Sequence, residues 1–172
     1  MMESQKLVLI RKEDPNSLEA QALLDERDAA SALFFGERGR SLTFHEEVRS
    51  PRSTFLVVRS ATSFAIGCAA LLRLEYGVAE VKYLYTRAVG AGVGRALLSR
   101  IERHATGLGY HRLVLLSHKS DRRTISFCNR NGFGAKHRCA GTRFSTEEAW
   151  FEKQLTSATR NRAAMTEHVH AR

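Results

Sequence analysis

Three glycines at alternate positions, Gly90, Gly92 and Gly94, stand between a strand-like stretch and a helical one. The first N–H groups of a helix have no intrahelical partner and lie at the positive end of its dipole. Glycines there let an anion approach the backbone with no Cβ in the way. The segment Val89, Gly90, Ala91, Gly92, Val93, Gly94 and Arg95 is therefore suited to cradle a pyrophosphate. It matches neither of two common nucleotide motifs. A dinucleotide fingerprint needs glycine where Arg95 stands, and no Gly-Lys-Ser/Thr follows. A tight strand-to-helix connection would use the same glycines, so the surrounding elements must decide between the two readings.

Other chemistries find less support. Neither His104 and His111 nor His168 and His170 fall at HExxH spacing, and Cys68, Cys128 and Cys139 form no CxxC pair. Neither a catalytic metal nor a zinc site is expected, and an odd cysteine count fits reduced thiols. The net charge of +9 favours polyanionic partners. The arginines are scattered rather than gathered into one aromatic-interleaved stripe, which argues against nucleic acid as the main partner. A small polyanionic cofactor would use the same charge. The longest apolar run, Phe64 to Leu72, is too short to span a membrane, and Met1 to Lys6 lacks a signal-peptide core. A soluble, cytoplasmic protein is expected.

The elements that must position the glycine turn can be read along the chain. A length of 172 residues suits one domain, expected over 1–155, with 156–172 as a disordered tail. Lys6 to Arg11 reads as a first strand. A helix follows through about Phe35, opened by Asn16 with Glu19 as a capping-box-like pair, with Leu18, Ala22, Ala29 and Leu33 as its apolar stripe. Gly36 to Ser53 reads as a loop with a short helix near Phe44 to Val48. Thr54–Ser60, Phe64–Leu74 and Ala79–Thr86 form a strand meander. In the third, alternation puts Val81, Tyr83 and Tyr85 on one face and Glu80, Lys82 and Leu84 on the other. The helix after the glycines carries Val93, Leu97, Ile101, Ala105 and Leu108 at helical spacing. A strand at His111–Leu116, a helix from Ser120-Asp121 to Asn131-Gly132, and strands at Phe133–Cys139 and Ala149–Leu155 complete the order. A hairpin meander followed by helical crossovers predicts a mixed α/β (α+β) sheet with helices on both faces.

From Glu80 in AEVKYLYT, through VGAGVGRALLSRIERHATGLGYHRLVLL, to Phe133 in TISFCNRNGF, the chain resembles the GNAT superfamily of N-acetyltransferases. The GTRF…AWFEKQL ending is similar to small bacterial members that act on small molecules. The resemblance implies a mixed, mainly antiparallel central sheet of about six or seven strands flanked by about four helices. It also implies acetyl-CoA as co-substrate and a small amine as acceptor, attacked directly without an acyl-enzyme. The strand equivalent to Ala79–Thr86 would be bulged and splayed from its neighbour. Pantetheine would slot into the gap, contacting backbone groups of Leu84, Tyr85 and Thr86.

By the same resemblance Glu80 would be the base. Its alternative is a surface carboxylate paired with Lys82 or Arg73, and Lys82 is either such a partner or a contact to a substrate carboxylate. Cys128 stands where many members carry an acidic tyrosine, so its thiol could protonate the leaving thiolate or simply fill the space of a ring. Tyr85 is the other possible donor. Ser117, Ser120 and Arg123 would lie near the cofactor, and Phe34, Phe35, Phe44 and His45 near the acceptor. Besides Cys128, two features depart from the pattern: Val89 replaces the usual Arg or Gln, and the preceding turn, Arg87-Ala88, is short. Arg87 could reach the phosphates instead. The sequence reading is thus an acetyl-CoA-dependent N-acetyltransferase. A catalytically impaired CoA-binding protein, or a basic nucleic-acid or protein-binding module on the same fold, is the alternative. Relatives often pair through their later strands, so a homodimer is compatible. The basic balance leans toward an acidic or zwitterionic acceptor.

Overall fold

The computed structural model describes residues 8–36, 39–137 and 147–155. They form β1 (Leu9–Lys12), α1 (Leu18–Phe35), α2 (Phe44–Arg49), β2 (Thr54–Arg59), β3 (Ala65–Glu75), β4 (Val78–Thr86), α3 (Val93–Gly107), β5 (Arg112–His118), α4 (Arg122–Arg130), β6 (Gly134–Lys136) and β7 (Glu148–Gln154). The strands make one sheet in the order β1-β2-β3-β4-β5-β7-β6. Every neighbouring pair is antiparallel except β4 with β5, which run parallel. The single parallel pair follows from α3, whose crossover carries the chain back to the starting end of the sheet. The expected last strand to Cys139 is shorter, and Cys139 and the tail from 156 lie outside the described residues. None of the described helices is long and apolar enough to cross a membrane.

Each face of the sheet carries its own core. On one, α3 lays Val93, Leu97, Leu98, Ile101 and Ala105 against Leu56, Leu71, Val81, Leu113 and Leu115, with Cys128 of α4 and Phe133 in the same cluster. This is the stripe read from the sequence. On the other face, Ala20, Leu23 and Leu24 of α1 and Phe44 and Val48 of α2 pack on Phe55, Val57, Cys68 and Ala70.

The stripe expected for α1 is corrected. Leu18 and Leu33 are 90% and 79% exposed, and Ala22 and Ala29 also face solvent. The sheet-facing stripe instead runs Ala20, Leu23, Leu24, Arg27 and Ser31, in which two polar residues interrupt the hydrophobic pattern. The cap also shifts by one residue. The Ser17 side chain accepts from the Ala20 N–H at 3.3 Å, whereas the Asn16 N–H turns back to Asp14 Oδ1 at 2.9 Å. Ser17 completes the helix entry in the manner of an ordinary N-cap. At the other end Gly36, with φ +63°, donates its N–H to Ala32 O.

The second correction concerns β4. Against β3, Cys68 pairs with Tyr85 but Ala70 pairs with Lys82, so β4 spends three residues where β3 spends two. The extra residue is a β-bulge, centred on Tyr83 with φ +56°. It breaks the alternation: Val81 and Leu84 pack with the α3-side core, while Tyr83 and Tyr85 turn to the α1-side core. A non-glycine residue in the left-handed region is strained and needs outside support. Here the support is burial: the Tyr83 ring is only 7% exposed, meets Phe44 edge-on at 4.8 Å, and lies under the Arg27 guanidinium at 5.5 Å.

Across from the bulge the strands crowd one another. A Cβ on Gly67 would fall 2.9 Å from the Tyr85 carbonyl oxygen and 3.2 Å from Thr86 Cγ2. Because the first obstacle is backbone, Gly67→Ala is expected to destabilise the fold by about 1–3 kcal/mol. Urea unfolding of the purified variant measures this, and an unchanged midpoint would contradict so close an approach.

Candidate functional site

The two parallel strands stay together only briefly. Val78, Ala79 and Glu80 pair with Arg112, Leu113 and Val114, and there the ladder stops. Beyond it β4 continues along β3 to Thr86, and β5 continues along β7 to His118. From Val81 on one side and Leu115 on the other, the facing edges therefore diverge into a wedge with no strand partner across it. Backbone N–H and C=O groups on such an edge need partners. An extended, amide-bearing ligand can supply them as an added strand would. Leu84, Tyr85 and Thr86 lie on the β4 side of this wedge, and Ser117 on the β5 side.

The glycine turn follows β4 directly. Gly90 (φ +79°) and Gly92 (φ +73°) both adopt left-handed conformations, and a Cβ on either would meet nothing within 4 Å. Their glycine identity thus serves backbone shape and leaves open space above the turn. Gly92 caps α3, which has no side-chain cap and no acidic residue in its first turn, so its leading N–H groups are left available to an anion. Val89 and Ala91 are exposed, as is Arg95. Gly94 has a different role: a Cβ there would lie 3.2 Å from the Phe127 ring, so it allows α3 to approach α4.

Arg87 does not point at this turn. Its Nε donates to Glu26 Oε2 at 2.9 Å, its Nη1 donates to the Ala65 carbonyl at 2.8 Å, and Nη2 pairs with Glu26 Oε1. The Tyr85 hydroxyl donates to the same Glu26 carboxylate at 3.1 Å. Hydrogen bonding to Arg87 holds the Glu26 carboxyl below its ordinary range, while burial and the bond to Glu26 push the Tyr85 phenol up. The end of β4 is thereby tied to α1. Glu26 was not legible as a site-shaping residue, because its partners lie some sixty positions away in sequence.

Glu80 occupies the last paired position of β4, at the point of the wedge, between Leu72 of β3 and Val114 of β5. It is 8% exposed. Its partner among the described residues is Lys82, whose Nζ lies 3.8 Å from Oε2, so of the two pairings expected from sequence the same-strand one forms. Burial raises the Glu80 pKa; Lys82 opposes the shift, and the fields of Glu148 and Glu47 reinforce it. A raised carboxylate beside an open backbone edge is a base with its proton affinity moved toward neutrality.

Cys128 is fully buried in the α3-side core, and desolvation pushes its thiol up to about 12. Ser117 is buried and its hydroxyl donates to the His118 carbonyl at 3.3 Å, while the Ser120 N–H donates to His118 Nδ1 at 3.1 Å. Arg123 is exposed on α4, whose start is capped by Asp121 accepting from the Thr124 N–H at 2.9 Å. Of the residues expected near the acceptor, Phe44 is buried in the core and Phe34 is exposed. Phe35 stacks on His118 at 5.1 Å, joining the end of α1 to the end of β5, and His45 faces solvent. A surface depression of about 480 Å³ between β1 and α2, lined by Lys12, Asp14, Pro15, Arg49 and Phe55, lies away from the wedge and shares none of its groups. Among the described residues no cluster of three metal-ligating side chains occurs.

A mostly antiparallel seven-stranded sheet, opened between its two parallel strands and followed by a glycine turn at a helix N-terminus, has the architecture of an acyltransferase that takes its acyl group from coenzyme A. Comparison with known proteins agrees. The model of the acetyltransferase (GNAT) family matches residues 20–133, and the chain belongs to that family. A curated relative, an IAA acetyltransferase of Azospirillum brasilense, is 29% identical over 129 residues, covering 73% of this chain and 84% of its own. Among solved structures, the PaiA N-acetyltransferase of Thermoplasma acidophilum in complex with coenzyme A superposes with a TM-score of 0.63 at 23% identity, covering 86% of this chain and 99% of that one. N-acetylglutamate synthase of Neisseria gonorrhoeae, complexed with coenzyme A and N-acetyl-glutamate, gives 0.67 at 23% identity, covering 87% of this chain and 35% of that one.

The buried carboxylate makes a stability prediction with a definite sign. Because the folded pKa of Glu80 lies above its ordinary 4.5, the folded state holds the proton more tightly than the unfolded chain. Stability then falls as pH rises through the interval between the two values, and the penalty is complete above the folded one. Glu80→Gln is expected to raise the melting temperature at neutral pH, with the gain shrinking as pH falls through that interval and gone below about 4.5. Thermal melts of both proteins across pH 4 to 8 measure this; a variant less stable than the parent at pH 7 would contradict it.

Proposed function

We propose that the protein is an acetyl-CoA-dependent N-acetyltransferase acting on a small amine. The observation that carries the reading is the position of Glu80: a buried carboxylate with a raised pKa at the point where β4 and β5 part. In this reading the pantetheine arm lies along the β4 edge at Leu84, Tyr85 and Thr86. The pyrophosphate rests on the turn from Val89 to Arg95, with the α3 N-terminus behind it. Arg123, Ser117 and Ser120 are placed toward the remaining parts of the cofactor. The coenzyme A complexes of the fold neighbours support an acyl-CoA co-substrate.

The acceptor nitrogen attacks the thioester carbonyl carbon as a neutral amine, and the C–N bond forms as the carbonyl electrons move to oxygen. A β4 backbone N–H at the bulge meets that oxyanion, an interaction worth about 3–4 kcal/mol where such donors have been removed elsewhere. Glu80 takes the proton from the nitrogen, directly or through one water. Collapse of the intermediate breaks the C–S bond and releases coenzyme A as thiolate. Cys128, buried with its thiol near 12, and Tyr85, bound to Glu26, both favour departure without a dedicated protein acid. The thiolate is then protonated from solvent.

Two measurements test the reading. Calorimetric titration with acetyl-CoA should show binding that weakens when the 3′-phosphate is removed, and absence of binding at millimolar cofactor would end the proposal. With an amine panel and a thiol-release assay, Glu80→Gln should lower kcat by about 10²–10⁴-fold, the usual worth of a general base. Cys128→Ala should change kcat by less than about threefold, whereas a loss on the scale of Glu80→Gln would make the thiol the missing acid. Tight acetyl-CoA binding with no turnover of any amine would favour the catalytically impaired alternative. The pH profile of kcat/KM should rise through a pKa above the ordinary carboxylate range and lose that limb in Glu80→Gln.

A further inference from the structure

Lys82 stands two residues from Glu80 on the same face of β4, with its ammonium 3.8 Å from the carboxylate. The two side chains differ in access: Glu80 is one-tenth exposed and Lys82 about two-fifths. The neighbouring arginines near this part of the sheet are already paired, Arg112 with Glu75 and Glu152 among them. Arg27 pairs with Asp28, and Arg40 pairs with both Asp25 and Asp28, so both are committed to aspartates of α1. Lys82, by contrast, has Glu80 as its partner among the described residues, and no hydrogen bond is formed between them at that distance.

An ammonium beside the base has a chemical consequence. A simple cationic amine approaching Glu80 would bring its positive charge against that of Lys82, and the partly buried setting screens this repulsion less than bulk water would. An acceptor carrying a carboxylate next to its amine turns the same arrangement into complementarity. Its ammonium or amine faces Glu80, supported by the negative fields of Glu47 and Glu148 that already act on that carboxylate. Its carboxylate faces Lys82. Amine and carboxylate on one carbon lie side by side, as Glu80 and Lys82 do. Four alternating charges result, with each protein charge answered by one of the ligand.

We infer that the acceptor is a zwitterion, an amino acid whose carboxylate is bound by Lys82 while its amine is presented to Glu80. The inference rests on the transferase reading above and narrows its substrate class. Lys82 is then the specificity-determining residue, and Glu80 keeps the proton transfer.

The test compares each free amino acid with its own primary amide, using phenylalanine, leucine and glutamate as probes. The amide removes the carboxylate charge and also makes the amine less basic, so each kcat/KM is expressed per neutral amine at the assay pH. Wild-type enzyme is expected to prefer the acid over the amide by about tenfold or more in kcat/KM, the scale of one charge-assisted contact. Lys82→Met should bring the ratio to within about twofold of one, mainly through KM for the acid, and Lys82→Arg should restore part of it. Because acid and amide are compared at one pH on one enzyme, any change in Glu80 that the substitution causes divides out of the ratio. A wild-type enzyme that turns over amides or simple amines but none of the free acids overturns this inference alone. So does an acid preference that survives in Lys82→Met. Absence of acetyl-CoA binding, or of turnover with any amine, would overturn the transferase reading and this inference with it.

Discussion

The divergence of β4 from β5 is the constraint on which the rest of the site depends. The parallel ladder lasts three residues, and its end leaves two rows of backbone polar groups facing one another across a gap. Such edges are costly in a sheet interior unless something fills them. The bulge at Tyr83 turns β4 away just past the last pair, and extra twist at a bulge is its usual effect. What holds Tyr83 in a strained conformation is the α1-side core: Phe44 against its ring edge and Arg27 over its face. α2, a helix of six residues with little to recommend it in isolation, therefore has a structural task that reaches the centre of the sheet.

The same divergence organises the charges. Glu80 sits where the sheet is still closed enough to bury it and already open enough to give it an approach. Its burial costs stability at neutral pH, and that cost is the source of its raised proton affinity. At the far end of β4 the arrangement is opposite in character. Arg87 and Tyr85 both satisfy Glu26, so the strand end just before the glycine turn is fixed to α1 and to the Ala65 carbonyl. One end of the strand carries a group out of balance, and the other carries groups that answer one another.

Much of this was legible in the chain itself where local pattern and tertiary role coincide. The α3 stripe, the glycines before it and the strand order all follow from spacing, because a helix face and a strand-to-helix turn are local decisions. The family resemblance added the bulge, which alternation alone missed: period-two reading put Val81, Tyr83 and Tyr85 together, and one inserted residue separates them. The α1 stripe failed for a related reason. Leu18 and Leu33 are as apolar as Leu23 and Leu24, yet the sheet accepts Ala20, Leu23 and Leu24 with Arg27 and Ser31, and at Arg27 it presents the Tyr83 ring of β4.

What the sequence determined by itself is the family, the order of elements and the backbone character of the turn at Gly90 and Gly92, since each depends on residues close together in the chain. The resemblance singled out Glu80 but left it between a base and a surface carboxylate; the fold buried it, and the fold alone brought in Glu26. Glu80 and Glu26 are both glutamates near ordinary neighbours in sequence. One becomes a buried group at the wedge and the other the anchor of Arg87 and Tyr85. The physical reason is that desolvation and ion pairing act through space. A side chain's neighbours across a sheet or beneath a helix are set by register and packing, and these are fixed only once the whole sheet has closed.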